Sequence, residues 1–331
     1  MADTLRLGGI TLSDELVQLD ILDSGDSNER LLALLGRIAS ARVAIPHLHQ
    51  ARAGGEMQST LCLPAEDFVS LSHDPDGELD GQWCTVRRSV GTISLFPHCF
   101  DLALYGRVIH VLHKRGIPVH GISSSVSALV IHTDYCRLED AVAAILTVCH
   151  LPENHTPLRP VPLLDGQAVE TVAVYWEPRM RIYGMDIQRE LNLIQLECDP
   201  EAFIHDQWLQ LGARQEKFRL LVTQTGEERR SRCMFLIRQN DHSAIRAVLT
   251  GLLGKNFRAR LIAEEQADMV SFHGPHFHDR YGIAELTYSS LKKTGCRMLA
   301  SGCTGTSVNI VVAGGQAEAV AERLRQVCIV P

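Results

Sequence analysis

The chain has 331 residues, enough for two or three domains of ordinary size, or more if the units are small. Apolar residues make up 45%, which excludes disorder as the main state, and aromatics at only 5% require cores that are mostly aliphatic. The net charge of −7 lacks the basic excess of a nucleic-acid binder, no apolar run approaches the ~20 residues that cross a bilayer, and Met1–Asp14 has no apolar signal core, so a cytoplasmic location with neither nucleic acid nor membrane as partner is expected.

Alternation over Leu16–Leu22 predicts a strand. Residues 28–41 predict a helix, with Leu31, Leu34, Leu35 and Ile38 on one face and Ser24, Asp26 or Ser27 as its cap. Strands are predicted at Ala44–Gln50 and Gln58–Leu63, joined through Ala53-Gly54-Gly55, and a short helix at Ala65–Leu71. The order then repeats: strand Val90–Phe96, helix Leu102–Lys114 stopped by Gly116, strands Val119–Ser123 and Ser127–His132, helix Leu138–Val148. Leu151–Glu170 contains Pro152, Pro157, Pro160 and Pro162, a density that forbids helix and marks a linker.

Beyond the linker the pattern returns. Leu191–Glu197, Glu201–Leu211, Arg219–Gln224, Arg232–Ile237 and Ser243–Leu253 form one set, and Met269–His273, Ile283–Lys293, Arg297–Ser301, Ser307–Val312 and Gln316–Cys328 another. Gly9-Ile10-Thr11-Leu12 matches Gly184-Met185-Asp186-Ile187, Pro97-His98 matches Pro275-His276, and Gly116 matches Gly295. The nearly constant spacing indicates a duplication with small loop insertions. Every unit reads β-α-β-β-α with a final strand, the ferredoxin-like split order. The fold class is therefore α+β, with units at 1–75, 76–150, 171–255 and 256–331 and a Pro-rich linker at 151–170. A 20-residue linker reaches at most roughly 65–70 Å, enough for the two halves to pair within one chain as a pseudo-dimer.

Gly116-Ile117-Pro118-Val119-His120-Gly121-Ile122-Ser123-Ser124-Ser125 resembles the regulatory ACT domain of aspartokinases, with Val126–Thr133 as its third strand and Leu138–Val142 opening its second helix. Gly295–Val312 resembles the same region, with Ser301-Gly302-Cys303-Thr304-Gly305-Thr306 in its turn. The leaders Gly9–Leu22 and Gly184–Leu196 resemble the segment that opens an aspartokinase regulatory region. The usual Asp-x-Pro-Gly loop is not intact in any unit, and no Lys-Phe-Gly-Gly type segment of an amino-kinase lobe is found. The resemblance is to two tandem ACT regions without the kinase.

That resemblance implies a non-catalytic regulatory protein that binds an amino acid at the loops between strand one and the following helix. Helix amides there favour a carboxylate, and carboxylates or carbonyls receive the ammonium. The residues it implies are Asp23, Asp26, Ser27 and Asn28 in the first unit, and His98, Asp101, Val119 and Ser123 in the second. In the third they are Asp199 and Glu201, and in the fourth His276, Asp279, Met298 and Ser301. The plain alternative for each is helix capping or strand packing. The expected partners are an amino-acid effector and an aspartate-pathway enzyme, with a homodimer left open and no cofactor.

Two other readings stand beside it: an ACT scaffold that has lost its ligand, favoured by the broken loops, and a metal-binding protein using His273, His276 and His278. No enzyme motif is present: Thr250–Lys255 lacks the spacing of a phosphate loop, and no G-x-S-x-G elbow occurs. The ten cysteines show no C-x-x-C pair and read as reduced core residues.

Overall fold

The computed structural model describes residues 5–25, 28–53, 55–72, 83–155, 158, 179–198, 217–225, 231–253, 259–275, 277, 280–305 and 307–329. The first half of the chain carries β1 (Leu5–Arg6), β2 (Gly9–Leu12), β3 (Leu16–Ser24), α1 (Glu29–Ser40), β4 (His47–Ala53), β5 (Glu56–Pro64) and α2 (Ala65–Ser72). It continues with β6 (Cys84–Phe96), α3 (Leu102–Lys114), β7 (Gly121–Ser124), β8 (Leu129–Asp134), α4 (Leu138–Ile145) and β9 (Cys149–His150). The second half carries β10 (Met180–Arg181), β11 (Gly184–Cys198), β12 (Phe218–Thr225), β13 (Ser231–Arg238), α5 (His242–Leu253) and β14 (Ala259–His273). It ends with α6 (Ile283–Lys292), β15 (Met298–Thr304), β16 (Val308–Ala313), α7 (Ala317–Arg325) and β17 (Cys328–Ile329).

These elements do not gather in sequence blocks. One compact unit, unit I, takes 1–14, 90–158 and 190–266, and the other, unit II, takes 15–89, 159–189 and 267–331. Each unit thus draws on both halves of the chain.

In unit II, β3 pairs antiparallel with β5, which pairs with β4, while β6 lies on the other side of β3. This is the 4-1-3-2 strand order of a β-α-β-β-α-β unit. The second-half part mirrors it, with β16 between β14 and β15. The two parts meet where β4 pairs antiparallel with β15: Ala51 faces Ala300, Gln50 faces Ser301 and Leu48 faces Cys303. Alternation along β3 sends Val17, Leu19 and Ile21 into the core, where the apolar face of α1, Leu31, Leu34, Leu35 and Ile38, covers them. Ile283, Tyr288 and Leu291 of α6 and Ala317, Val320 and Leu324 of α7 complete this core. The parallel pair β10–β17 places Met180 beside Cys328, both buried.

Unit I repeats the plan. β13 lies between β11 and β12, and β8 between β6 and β7. Its two parts meet where β12 pairs antiparallel with β7: Val222 faces Ser123, Thr223 faces Ile122 and Gln224 faces Gly121. The edge beside β6 is filled by β2, with Gly9 opposite Phe96 and Leu12 opposite Ile93. The leader therefore supplies the strand that borders β6 in unit I. Leu104, Tyr105, Val108 and Leu112 of α3, Leu138 and Ile145 of α4, and Phe218 and Phe235 form the core.

Two sequence features act as expected. Gly116 ends α3 with φ of +62° and Gly295 follows α6 with φ of +63°, a left-handed conformation that only glycine adopts without strain. The cap of α1 differs from the expectation. Asn28 occupies the cap position, and the carboxylate of Asp23 takes two amides of the first turn. Ser24, the alternative within the described residues, ends β3 and faces solvent. Asp26, Ser27, the predicted helix 201–211 and most of the linker lie outside the described residues. Six cysteines (Cys62, Cys84, Cys149, Cys233, Cys303 and Cys328) are free and buried as expected, whereas Cys99 and Cys136 are exposed.

Candidate functional site

The loops from strand one into the first helix carry most of the expected contacts. In unit II, Asp23 is buried, and its Oδ1 accepts from the Arg30 amide at 2.9 Å while Oδ2 accepts from the Leu31 amide at 3.1 Å. The helix's positive end is thus already met by a carboxylate of the chain itself. The Arg30 guanidinium turns away and donates to the Leu22 carbonyl at 2.8 Å. Asn28 adopts φ of +48° and is 7% exposed, and its Oδ1 has no hydrogen-bond partner among the described residues. A buried amide oxygen left in this way invites an N–H donor.

In unit I the same loop is closed on itself. His98 is buried; its Nδ1 accepts from the Phe100 amide at 2.8 Å, which leaves Nε2 protonated to donate to the Ser125 carbonyl at 3.1 Å. Its ring packs against Phe100 and Phe218, with centroids 4.8 and 5.2 Å away. Burial pushes its pKa below the usual histidine range, so the neutral ring fits its place. Asp101 caps α3 by accepting from the Ala103 amide at 2.7 Å. Ser123 is buried in β7, and Val119 packs against the core.

Of the remaining expected contacts, Met298 and Ser301 are buried in β15. The Met298 carbonyl accepts from Nε of the buried Arg52 at 2.8 Å. Tyr288 donates to Ser301 Oγ at 2.6 Å, Ser301 donates to Gln50 Oε1 at 3.2 Å, and Gln50 Nε2 donates to Ser59 Oγ at 2.7 Å. Asp199, Glu201, His276, His278 and Asp279 lie outside the described residues. His273 is exposed at the end of β14, its ring 5.6 Å from that of Tyr183.

Two constellations went unmarked in the sequence. One is the hydrogen-bonded chain from Tyr288 to Ser59. The other is the pair His47 and His49 on one face of β4, both buried, with Nε2 of the first 3.1 Å from Nδ1 of the second. Burial depresses the pKa of His47 to about 4, and burial plus the neighbouring His47 carries that of His49 well down. The signal was present in His47-Leu48-His49-Gln50, where alternation puts the histidines on one face and Leu48 and Gln50 on the other.

No family model matches the sequence, and no curated protein matches it. Among solved structures, the aspartate kinase from Synechocystis superposes with a TM-score of 0.76 at 13% identity, over 96% of this chain and 55% of that one. The chain shares its fold with part of an aspartate kinase. It therefore spans little more than half the length of that relative. Regulatory subunits of aspartate kinase from Thermus flavus and Thermus thermophilus cover 43% of this chain each, at 13% and 14% identity, with TM-scores of 0.37 and 0.36. What the first likeness supports is a mixed α/β architecture built on extensive sheet, in keeping with the strand pairings above. No described helix is long and apolar enough to cross a membrane.

Proposed function

We propose that this protein is a non-catalytic regulatory module that binds an amino acid through ACT-type units, four in number, cross-paired between the halves of one chain as a pseudo-dimer. The observation that carries the reading is at the start of α1. There the buried carboxylate of Asp23, at the end of β3, holds amides of the first turn, and the buried Oδ1 of the cap residue Asn28 has no hydrogen-bond partner among the described residues. They suit the ammonium end of an amino acid. The ligand carboxylate would have to find donors other than the Arg30 and Leu31 amides, which Asp23 already holds. Asp26, Ser27, Asp199, Glu201, His276, Asp279 and the neighbouring Ser123, Val119, Met298 and Ser301 remain the proposed surroundings of such sites. Binding would shift an equilibrium between arrangements and signal to an aspartate-pathway enzyme in the cytoplasm.

The ligand-free scaffold is a second reading, favoured by the loop at α3, where His98 and Asp101 satisfy their own hydrogen bonds. Thermal unfolding against a panel of amino acids, with Zn²⁺ in a separate well, decides between them. An effector at 100 times its dissociation constant adds about 2.7 kcal/mol to native stability, and Asn28→Leu should abolish that shift. No shift with any amino acid at millimolar concentration rejects the sensor. A shift with Zn²⁺ alone would favour the metal-binding reading, and its loss in His273→Ala or in His47→Leu would tell the loop of His273, His276 and His278 from the buried pair His47 and His49.

A further inference from the structure

Two loops of the first half lead from a strand into a helix, and they differ in what fills them. At α1 the buried Asn28 Oδ1 has no hydrogen-bond partner among the described residues. At α3 the side chain of His98 lies inside the loop, 1% exposed, with both ring nitrogens bonded to main chain. Nδ1 accepts from the Phe100 amide at 2.8 Å, and Nε2 donates to the Ser125 carbonyl at 3.1 Å. The rings of Phe100 and Phe218 pack beside it. The main chain is bent to match. Cys99 and Phe100 both hold a left-handed φ, +50° and +58°. That conformation is uncommon for a bulky residue and persists only where the surroundings fix it. The Phe100 carbonyl accepts from the Phe218 amide at 3.2 Å, and the Arg219 guanidinium lies over the Phe100 ring, so the bent segment is also seated on the start of β12.

We propose that His98 is an internal ligand: its imidazole occupies the β6–α3 loop in place of a diffusible molecule and keeps that loop closed to the effector, which is left to the loop at α1. What is kept out rests on the reading of these loops as ACT-type effector sites; the internal ligation does not. The chemistry is that of a small neutral heteroaromatic: one acceptor nitrogen for an amide, one N–H for a carbonyl, and an apolar ring. While His98 stays, the Phe100 amide is taken and Asp101 holds the Ala103 amide, so neither is left for an effector carboxylate. A competitor must also displace a tethered group, whose effective concentration exceeds that of most metabolites. Removing the side chain leaves an amide and a carbonyl facing each other across the width of one imidazole ring, both without partners, which imidazole itself can refill. The neighbouring Cys99 is exposed, so the way in is short.

The test is the full chain carrying His98→Gly, with imidazole as the probe at pH 8, where most of it is neutral. Imidazole at ten times its dissociation constant should raise the folded-to-unfolded ratio of the variant about tenfold and leave the parent unchanged. Hydrogen exchange over residues 96–104 reads the loop itself: slow in the parent, fast in the variant, slowed again by imidazole. 1-Methylimidazole, which has no N–H for the Ser125 carbonyl, should restore less. The proposal is overturned if imidazole stabilises both proteins alike or neither, if the substitution leaves loop exchange unchanged, or if 1-methylimidazole restores as much as imidazole. A variant that folds only with imidazole present is a rescue and supports it. If His98→Gly fails to fold in either condition, His98→Asn decides, because its Oδ1 can still accept from the Phe100 amide: protection of that amide supports the assignment, and free exchange overturns it. The amino-acid panel, run on parent and variant, is read separately. A further shift that appears only in the variant is expected, and an identical response in the two proteins overturns the exclusion of the effector. No response in either rejects the sensor and leaves the internal ligation to stand or fall with imidazole.

Discussion

The two junctions solve one packing problem with different chemistry. In unit II a run of oxygen and amide groups, Tyr288, Ser301, Gln50 and Ser59, links four elements through bonds of 2.6–3.2 Å. In unit I the corresponding Tyr105, Thr223 and Cys233 approach one another only at 3.5–3.6 Å, with a thiol as the third member. On the reverse face of the junction strand, unit II buries His47 and His49 where the register of unit I places Leu220 and Val222. Polar groups that are buried and fully paired specify a partner; apolar groups of the same size only fill space. Unit II is therefore the chemically sensitive member of the pair, and unit I the tolerant one.

The largest expected effect is acid destabilisation through the histidine pair. The folded pKa of His47 lies near 4, below the ordinary 6.5, and His49 is depressed as well. A depressed histidine contributes stability in full above pH 6.5 and loses it as pH falls from 6.5 through the folded value, because the unfolded state takes up the proton first. For His47 alone the loss is on the order of 3 kcal/mol. Urea unfolding at pH 7.5 and 4.5 measures it. His47→Leu with His49→Val, the residues of the tolerant junction, should flatten most of the difference and leave the share of His98, which is also depressed.

Gln50→Leu comes next. It keeps the volume but removes both hydrogen bonds and strands the hydroxyls of Ser301 and Ser59, at a cost of about 2–3 kcal/mol in the same assay. The equivalent change Thr223→Val should cost less, because its partners are already distant. Smaller effects are those of the two tyrosines. Tyr288→Phe should lose about 1 kcal/mol with its bond to Ser301, and Tyr105→Phe less from its contacts with Thr223 and Cys233 at 3.5 and 3.6 Å. Equal losses at the two positions would erase the distinction between the junctions. The ion pair Lys292–Glu29 at 3.5 Å is half exposed or more at both ends, and its removal should not register at physiological salt.

Much of the architecture was legible along the chain. The helix 102–114 has the bounds its periodicity predicts, and Gly116 and Gly295 follow their helices in the left-handed conformation. The turn expected over Ser301–Thr306 begins later, since β15 runs to Thr304, whose amide donates to the Ser307 carbonyl at 2.9 Å. Strand ends were less legible. The predicted strands at 90–96 and 269–273 are the ends of longer runs, 84–96 and 259–273, in which Ser89 holds φ of +54° without a glycine. The candidate site was legible only as residue types. Asp23 and Asp101 were singled out for a ligand, and both are helix caps in the structure. A cap and an empty anion site look alike until the helix amides are placed.

The sequence by itself determined what depends on near neighbours: the periods of strands and helices, where helices stop, and the duplication that makes the halves alike. Those signals reach no further than a turn or a pleat, since they reflect which side chains share a face of one element. Only the tertiary structure decided that β4 pairs with β15, whose Ser301 lies 251 residues beyond Gln50 in the sequence, rather than with β7. It also decided that Gln50 is paired within a core and that the Asn28 oxygen has no partner among the described residues. A strand edge offers the same backbone groups to every comer, so its partner is chosen by side chains that meet only once the chain has folded.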